Sequence, residues 1–251
     1  MECVALAPAS SHFLGTGDYT RFCDYRFLHP ARLGVLPVNA TKRWDKDANK
    51  ACRDCEECDY ETLPHVINHC KGGGKFRPRQ LRHNAIVGRI KKALLPRCEL
   101  LAENQVVGSD GLKPDLVFRK GRDIFIIDVA CPFENRPSAL EDARKEKCDK
   151  YASLLPFYSS RGYNPVIIPI IVGALGSWDP KNDSFLSKHM SKSYLHKFRH
   201  LCVSETPVKW SRDIYVQHIT GKKQYEENGQ DFEEQQPQGP QTYFEYINSQ
   251  V

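Results

Sequence analysis

A mixed β-sheet flanked by helices, with elements in the order α-β-β-β-α-β from about residue 80, is the fold the sequence predicts. Three observations lead there. Two strand-like runs, Pro114–Arg119 and Asp123–Cys131, flank Gly121-Arg122, a Gly-X pair suited to a two-residue type II′ hairpin turn. A further run, Val166–Ala174, is apolar almost throughout, as expected of a strand covered on both faces. Ahead of the strands, Ile86, Val87, Ile90, Ala93 and Leu94 recur at 3/4 spacing and predict a helix over Gln80–Leu95.

Composition sets the frame. The chain has 251 residues, 40% hydrophobic and 27% charged, which suits one large domain or two small ones with a real core. Its longest apolar run contains Pro169 and is too short to cross a bilayer, so no membrane partner is expected. MECVALAPAS has no basic n-region, so no secretory signal is read. The ten cysteines are then expected as thiols and metal ligands rather than as a disulfide framework. Net charge is +5, compatible with a nucleic-acid partner without requiring one.

Taken in order, residues 1–20 read as a loose lead-in, and Tyr25–Trp44 interleaves apolar residues with Arg26, Arg32, Lys42 and Arg43, with Pro30 and Pro37 keeping any helix short. The segments 1–50 (basic lead-in), 51–75 (Cys/His-rich), 80–205 (the mixed α/β core) and 222–251 (an acidic, Gln/Pro-rich tail expected to be disordered) divide the chain. A weak strand at Glu99–Val107 ends in GSDG. After the hairpin, Ser138 opens a helix over Ser138–Leu155, with Ser138 as N-cap and Glu141 as its capping-box partner. A last helix is expected over Ser184–Cys202.

The segment CRDCEECDYETLPHVINHC carries metal-site spacing. Zinc takes four thiolate or imidazole ligands, and Cys55-x2-Cys58 with His65-x4-Cys70 is one complete set. Cys52 and His69 are competing ligands. Such a closed site is structural, holding a segment too small to fold alone.

The hairpin carries the chemistry. With a two-residue turn at Gly121-Arg122, residues whose numbers sum to 243 face each other, so Asp115 stands opposite Asp128 with side-chain roots about 5 Å apart. Two facing carboxylates in an apolar hairpin call for a cation between them, and oxygen-only ligation favours Mg²⁺ or Mn²⁺. At about 100° per residue, Leu140, Lys147 and Tyr151 share one face of the second helix with Ala143 and Leu154. Lys147 is thus a cation on the sheet-facing stripe, able to orient a metal-bound water or stabilise charge on a phosphate. Lys145 and Lys150 point away.

These motifs, with Glu61-Thr62-Leu63 inside the Cys/His segment, Arg82-His83-Asn84, Lys113-Pro114-Asp115, Asp128-Val129 and Lys147-x2-Lys150-Tyr151, together resemble the C-terminal part of non-LTR retrotransposon proteins of the restriction-like-endonuclease class. The resemblance spans roughly residues 20–200, including a basic linker before the knuckle. It implies a CCHC zinc knuckle ahead of a PD-(D/E)xK nuclease core, Mg²⁺-dependent nicking of target DNA, and a polymerase partner. Asp115 and Asp128 match the family's metal-binding acids and Lys147 its lysine, taken from the following helix. Lys145 and Lys150 are the other candidates, because Ala130 occupies the usual Asp-x-Lys position. Glu134 and Glu103 are candidate further acids. About 50 residues precede the knuckle, too few for a polymerase domain, so a reverse transcriptase is expected in trans. Arg43, Lys75, Arg77, Arg79 and Arg82 are the expected backbone contacts to DNA, with RNA the second option. A DNA substrate implies a nuclear site of action. The competing functions are a non-catalytic nucleic-acid-binding module on a relic nuclease scaffold, and a protein-interaction factor acting through the acidic tail.

Overall fold

The computed structural model of the chain describes residues 2–42, 44–55, 57–74, 76–136, 138–204 and 208–224. Its elements are α1 (Phe22–Leu33), α2 (Phe76–Leu94), β1 (Glu99–Glu103), β2 (Leu116–Lys120), β3 (Asp123–Ala130), α3 (Ser138–Tyr151), α4 (Leu154–Ser159), β4 (Asn164–Ile171), α5 (Asp183–His189), α6 (Lys192–Val203) and α7 (Lys209–Thr220). The sheet runs β1-β2-β3-β4, with β1, β2 and β3 antiparallel in turn and β4 parallel to β3. From α2 to β4 the sheet and the helices that flank it keep the order read from the sequence.

The hairpin register is the one the turn dictates. Leu116 pairs Ile127 and Val117 pairs Ile126, which carries Asp115, one residue ahead of β2, to the end of the ladder beside Asp128. Gly121 has φ of 62° while Arg122 does not lie at positive φ, the pattern of a type II′ turn. Alternation then sorts the side chains. Leu116, Phe118, Phe125, Ile127 and Val129 pack under Ile86, Ile90 and Leu94 of α2. Val117, Ile124 and Ile126 face Tyr151, Leu154 and Tyr158 of α3 and α4. Helices therefore cover both sheet faces.

β4 departs from the expected strand. It spans Asn164–Ile171 and forms one edge, with Val166 47% exposed, so its first half is not covered on both faces. The edge is protected instead. Asn164 N donates to Arg122 O in the turn ahead of β3 and Val172 N to Ala130 O, so even-numbered N–H groups face β3 and odd-numbered ones point outward. Pro165 and Pro169 occupy two of those positions, where a missing donor costs no ladder bond, and Ile171 N donates to Asn182 Oδ1 at 3.0 Å.

Four further expectations are corrected. Residues 2–20 are not loose: 3₁₀ turns bury Cys3, Ser10 and Phe13, and Ser10 Oγ accepts from Trp178 N at 2.9 Å. Ser138 is the first helical residue of α3, and its hydroxyl donates to Asp142 at 3.1 Å rather than capping the helix. The helix expected to Leu155 stops at Tyr151, and the last helix breaks at Met190, whose extended backbone hands over to a new cap at Ser191. α7, which no periodicity reading singled out, crosses behind α2 and the knuckle. Of the tail, 225–251 lies outside the described residues.

Candidate active site and metal centre

The Cys/His segment closes around four donors. Cys52, Cys55, His65 and Cys70 bring their ligand atoms within 4.8 Å of one another. Cys52 Sγ lies 3.8 Å from Cys70 Sγ, and Cys55 Sγ lies 3.3 Å from His65 Nε2. Two thiolates at about 2.3 Å from a tetrahedral zinc stand roughly 3.8 Å apart, so the spacing fits zinc and is too long for a disulfide. Residues His65–His69 form a π-type turn in which Cys70 N donates to His65 O at 2.7 Å, and this wider turn brings ligands five apart to one side. Burial pushes the Cys70 thiol up to about 12 and raises that of Cys52, so three thiolates here require a cation. Cys58 is not among the converging donors: its thiol donates to Tyr60 O at 3.1 Å. His69 instead lines a cleft next to the core. Cys52 takes the position the sequence reading gave to Cys58.

A buried carboxylate fastens this segment. Glu61 is fully buried and accepts from Asn39 N at 2.9 Å, Arg53 N at 2.8 Å, the Arg53 guanidinium at 2.7 Å and His218 Nε2 of α7 at 2.9 Å. Burial alone would raise its pKa, but these donors outweigh it and hold the carboxyl at about 2, down from 4.5. The folded pKa lies below the unfolded one, so this stability is present above pH 4.5 and is lost as pH falls towards 2. Glu61→Gln should remove that acid dependence and lower stability by about 2 kcal/mol, the cost of weakening charge-assisted hydrogen bonds at a fully buried acceptor. Thermal melts from pH 6 to 3 check both, and a variant that melts in parallel with the wild type refutes the account.

The knuckle is bonded into the core. Asn68 Nδ2 donates to Cys131 O at 3.1 Å, Asn68 Oδ1 accepts from Arg82 at 2.8 Å, and Cys70 O accepts from Arg79 at 2.7 Å. Arg82 also donates to Ser211 of α7 at 2.8 Å and is only 3% exposed. It is therefore a buried cross-link between three segments and cannot track a nucleic-acid backbone, a correction to its sequence reading. Arg77 is exposed and Arg79 half-buried, while Arg43 and Lys75 lie outside the described residues.

At the open end of the hairpin, α3 grips Asp128. Lys147 Nζ lies 2.7 Å from Asp128 Oδ2, and one turn later the Tyr151 hydroxyl lies 2.5 Å from Oδ1 and 2.9 Å from Lys113 O. The phenol has one proton for two acceptors, and the carboxylate takes it. Burial, then Asp128, raises the Tyr151 pKa, so it remains a donor. Asp115 Oδ2 accepts from Val129 N at 2.7 Å and pairs with His83 Nε2 of α2 at 3.0 Å. Burial disfavours the His83 imidazolium, but the Asp115 hydrogen bond and charge outweigh it and raise its pKa. Each acid thus has its own donor, from helices on opposite faces of the sheet. Lys145 is exposed, and Lys150 lies over the Tyr151 ring at 4.7 Å. Tyr151 and His83 were missed as acid partners in the sequence, although Tyr151 shares the Lys147 stripe.

The two remaining acids sit elsewhere. Glu134 is fully buried, accepts from Leu175 N at 2.9 Å and Ser177 N at 3.0 Å, and braces the loop after β4. Glu103 pairs with Lys91 at 2.5 Å on a cleft wall. Two clefts open near the end of the hairpin. One, of 570 Å³, lies between His69 of the knuckle, Arg82, the end of β3 and Lys147. The other, of 650 Å³, runs along α2 to Glu103, Asn104 and Asp115. Arg79 and His83 border both. Among the described residues no helix is long and apolar enough to cross a membrane.

No family model matches the chain. It is 32% identical over 125 residues to the Retrovirus-related Pol polyprotein from type-2 retrotransposable element R2DM of Drosophila melanogaster, covering 48% of this chain and 11% of that protein. It is 26% identical over 168 residues to the Retrovirus-related Pol polyprotein from type-1 retrotransposable element R2 of Popillia japonica, covering 64% of this chain and 34% of that protein. The small subunit of the heterodimeric restriction endonuclease R.BspD6I superposes with a TM-score of 0.26 at 10% identity, over 64% of this chain and 98% of that one, a likeness too distant to carry an argument. The chain spans about a tenth of the first relative and a third of the second, and both of these relatives are R2 retrotransposon Pol polyproteins.

Proposed function

We infer that the chain is a metal-dependent endonuclease that nicks DNA by phosphodiester hydrolysis. The observation that carries this reading is the Lys147 ammonium 2.7 Å from Asp128 Oδ2, at the end of a ladder whose register sets Asp115 beside Asp128. A lysine aimed at a buried carboxylate within a cleft is costly to assemble unless it is used. Asp115 and Asp128 offer only oxygen ligands, the set that suits Mg²⁺ or Mn²⁺, and they are the residues that would hold it. Such an ion, when bound, polarises a phosphodiester and lowers the pKa of a water. Around it, Tyr151 and His83 fix the two carboxylates, and Lys147 is placed to donate to a phosphate oxygen as charge builds there. The Cys52, Cys55, His65 and Cys70 set would hold zinc as a structural ion. Likeness to part of R2 retrotransposon Pol polyproteins supports a DNA target. A nuclear site of action would follow from that substrate, and a reverse transcriptase is the partner this reading calls for.

The test is conversion of supercoiled plasmid to open circles in Mg²⁺. Wild-type protein and Lys145→Ala should nick at similar rates, and Lys147→Ala should be slower by roughly 100-fold or more. A wild type that leaves plasmid supercoiled refutes the nuclease and leaves a binding module. Loss in Lys145→Ala with retention in Lys147→Ala refutes the assignment of the lysine.

A further inference from the structure

The 650 Å³ cleft along α2 reaches Asp115 and its partner His83 at one end, and the rest of its helical wall has no part in the chemistry just described. Its helical wall is the stripe Phe76, Arg79, Gln80, His83, Asn84 and Gly88, at the 3/4 spacing that puts residues on one side of a helix. Two features of this stripe are unfavourable for the chain alone. Phe76 is 71% exposed, a large aromatic face turned to water at the mouth of the cleft. Gly88 lies inside the helix, where glycine costs roughly 0.5–1 kcal/mol relative to alanine. Beyond its chain neighbours and the backbone of its own helix, no heavy atom of the described residues comes within 4 Å of a β-carbon built there, so packing within the chain does not require a glycine. The space it leaves faces the cleft.

We propose that this face of α2 is a track for single-stranded nucleic acid next to the scissile phosphodiester, with an unpaired base stacked on Phe76. The inference rests on the nuclease reading for its position relative to the cut. A duplex hides its base faces inside the stack, whereas an unpaired base offers one to an aromatic ring. The amides of Gln80 and Asn84 can pair with exposed base edges, and Arg79 supplies a cation for the backbone. Gly88 admits the strand's close approach. From Phe76 to Gly88 the stripe is about 18 Å long at ~1.5 Å per residue, which is room for more than one nucleotide. The substrate is therefore DNA opened or unpaired beside the nick.

Binding is read by anisotropy of a labelled single-stranded oligonucleotide and of the same sequence as a duplex, with no divalent cation added. Phe76→Ala should weaken single-strand binding by roughly 5- to 150-fold and duplex binding far less. Gly88→Trp, which fills the cleft, should do the same, while Gly88→Ala keeps wild-type binding and melts slightly higher. Single-strand binding unchanged in both Phe76→Ala and Gly88→Trp overturns the track, as does a self-association lost in Phe76→Ala with nucleic-acid binding intact. If Gly88→Trp does not fold, Phe76→Ala decides alone. Plasmid nicking is scored separately: a chain that nicks but binds single strands indifferently to Phe76 loses the track and keeps the nuclease. A chain that binds through Phe76 and never nicks does the reverse.

Discussion

Cys52→Ser is expected to abolish zinc retention, while Cys58→Ser keeps it. Purified without chelator, the wild type and Cys58→Ser should carry about one zinc per chain in the four-donor site, and Cys52→Ser close to none. The reason is geometric. Cys52 Sγ sits 3.8 Å from Cys70 Sγ, within the converging set, whereas the Cys58 thiol is turned to Tyr60 O. The effect on stability should be large, because structural zinc in small modules contributes apparent binding energies of about 10–16 kcal/mol. The loss should also spread. Cys70 O holds Arg79, and Asn68 holds both Arg82 and the end of β3, so loosening the knuckle loosens the cleft wall. Thermal melts of the two serine variants should differ accordingly. Zinc lost from Cys58→Ser and kept by Cys52→Ser would return the site to the Cys55-Cys58 spacing.

The parts of this architecture that local chemistry determines were legible in the sequence. A Gly-X turn admits only one ladder register for a two-residue loop, so Asp115 and Asp128 could be set side by side by counting. The 3.6-residue period likewise separates Lys147, on the stripe with Leu140 and Tyr151, from Lys145. What depends on tertiary partners was not legible. Arg82 reads as one more cation in a basic run, and only the placement of Asn68 and Ser211 shows that it is buried. An apolar strand reads the same at an edge as at the centre, and Pro165 and Pro169, at alternate outward positions, were the available sign that β4 is an edge. Cys52 and Cys58 flank Cys55 at equal spacing, so the choice between them depends on how the loop folds back to Cys70. Tyr151 was visible on the Lys147 stripe, but a phenol on an apolar stripe does not announce its acceptor. α7 mixes Asp213, Gln217 and His218 into its buried face, which blurs the apolar period that would have revealed it.

The hairpin acids hold the remaining large effect. Asp128→Asn keeps the shape of the side chain and an oxygen for the Tyr151 hydroxyl, so the fold should survive. It removes the charge that Lys147 faces and that a divalent ion needs. If Asp115 and Asp128 together bind the ion, this one change should cost at least ~1000-fold in cleavage, equivalent to the several kcal/mol that a metal supplies to a phosphoryl transition state. The fall should not be rescued by adding more protein; the variant should still fold cooperatively, melting somewhat lower because Lys147 loses its counter-charge.

The most direct measurement compares supercoiled plasmid incubated in Mg²⁺ with wild-type protein and with Asp128→Asn at equal folded concentration. The account predicts open circles that accumulate with the wild type, that depend on the divalent ion, and that are absent with the variant. Plasmid left intact by the wild type, or nicked equally by both, would contradict it.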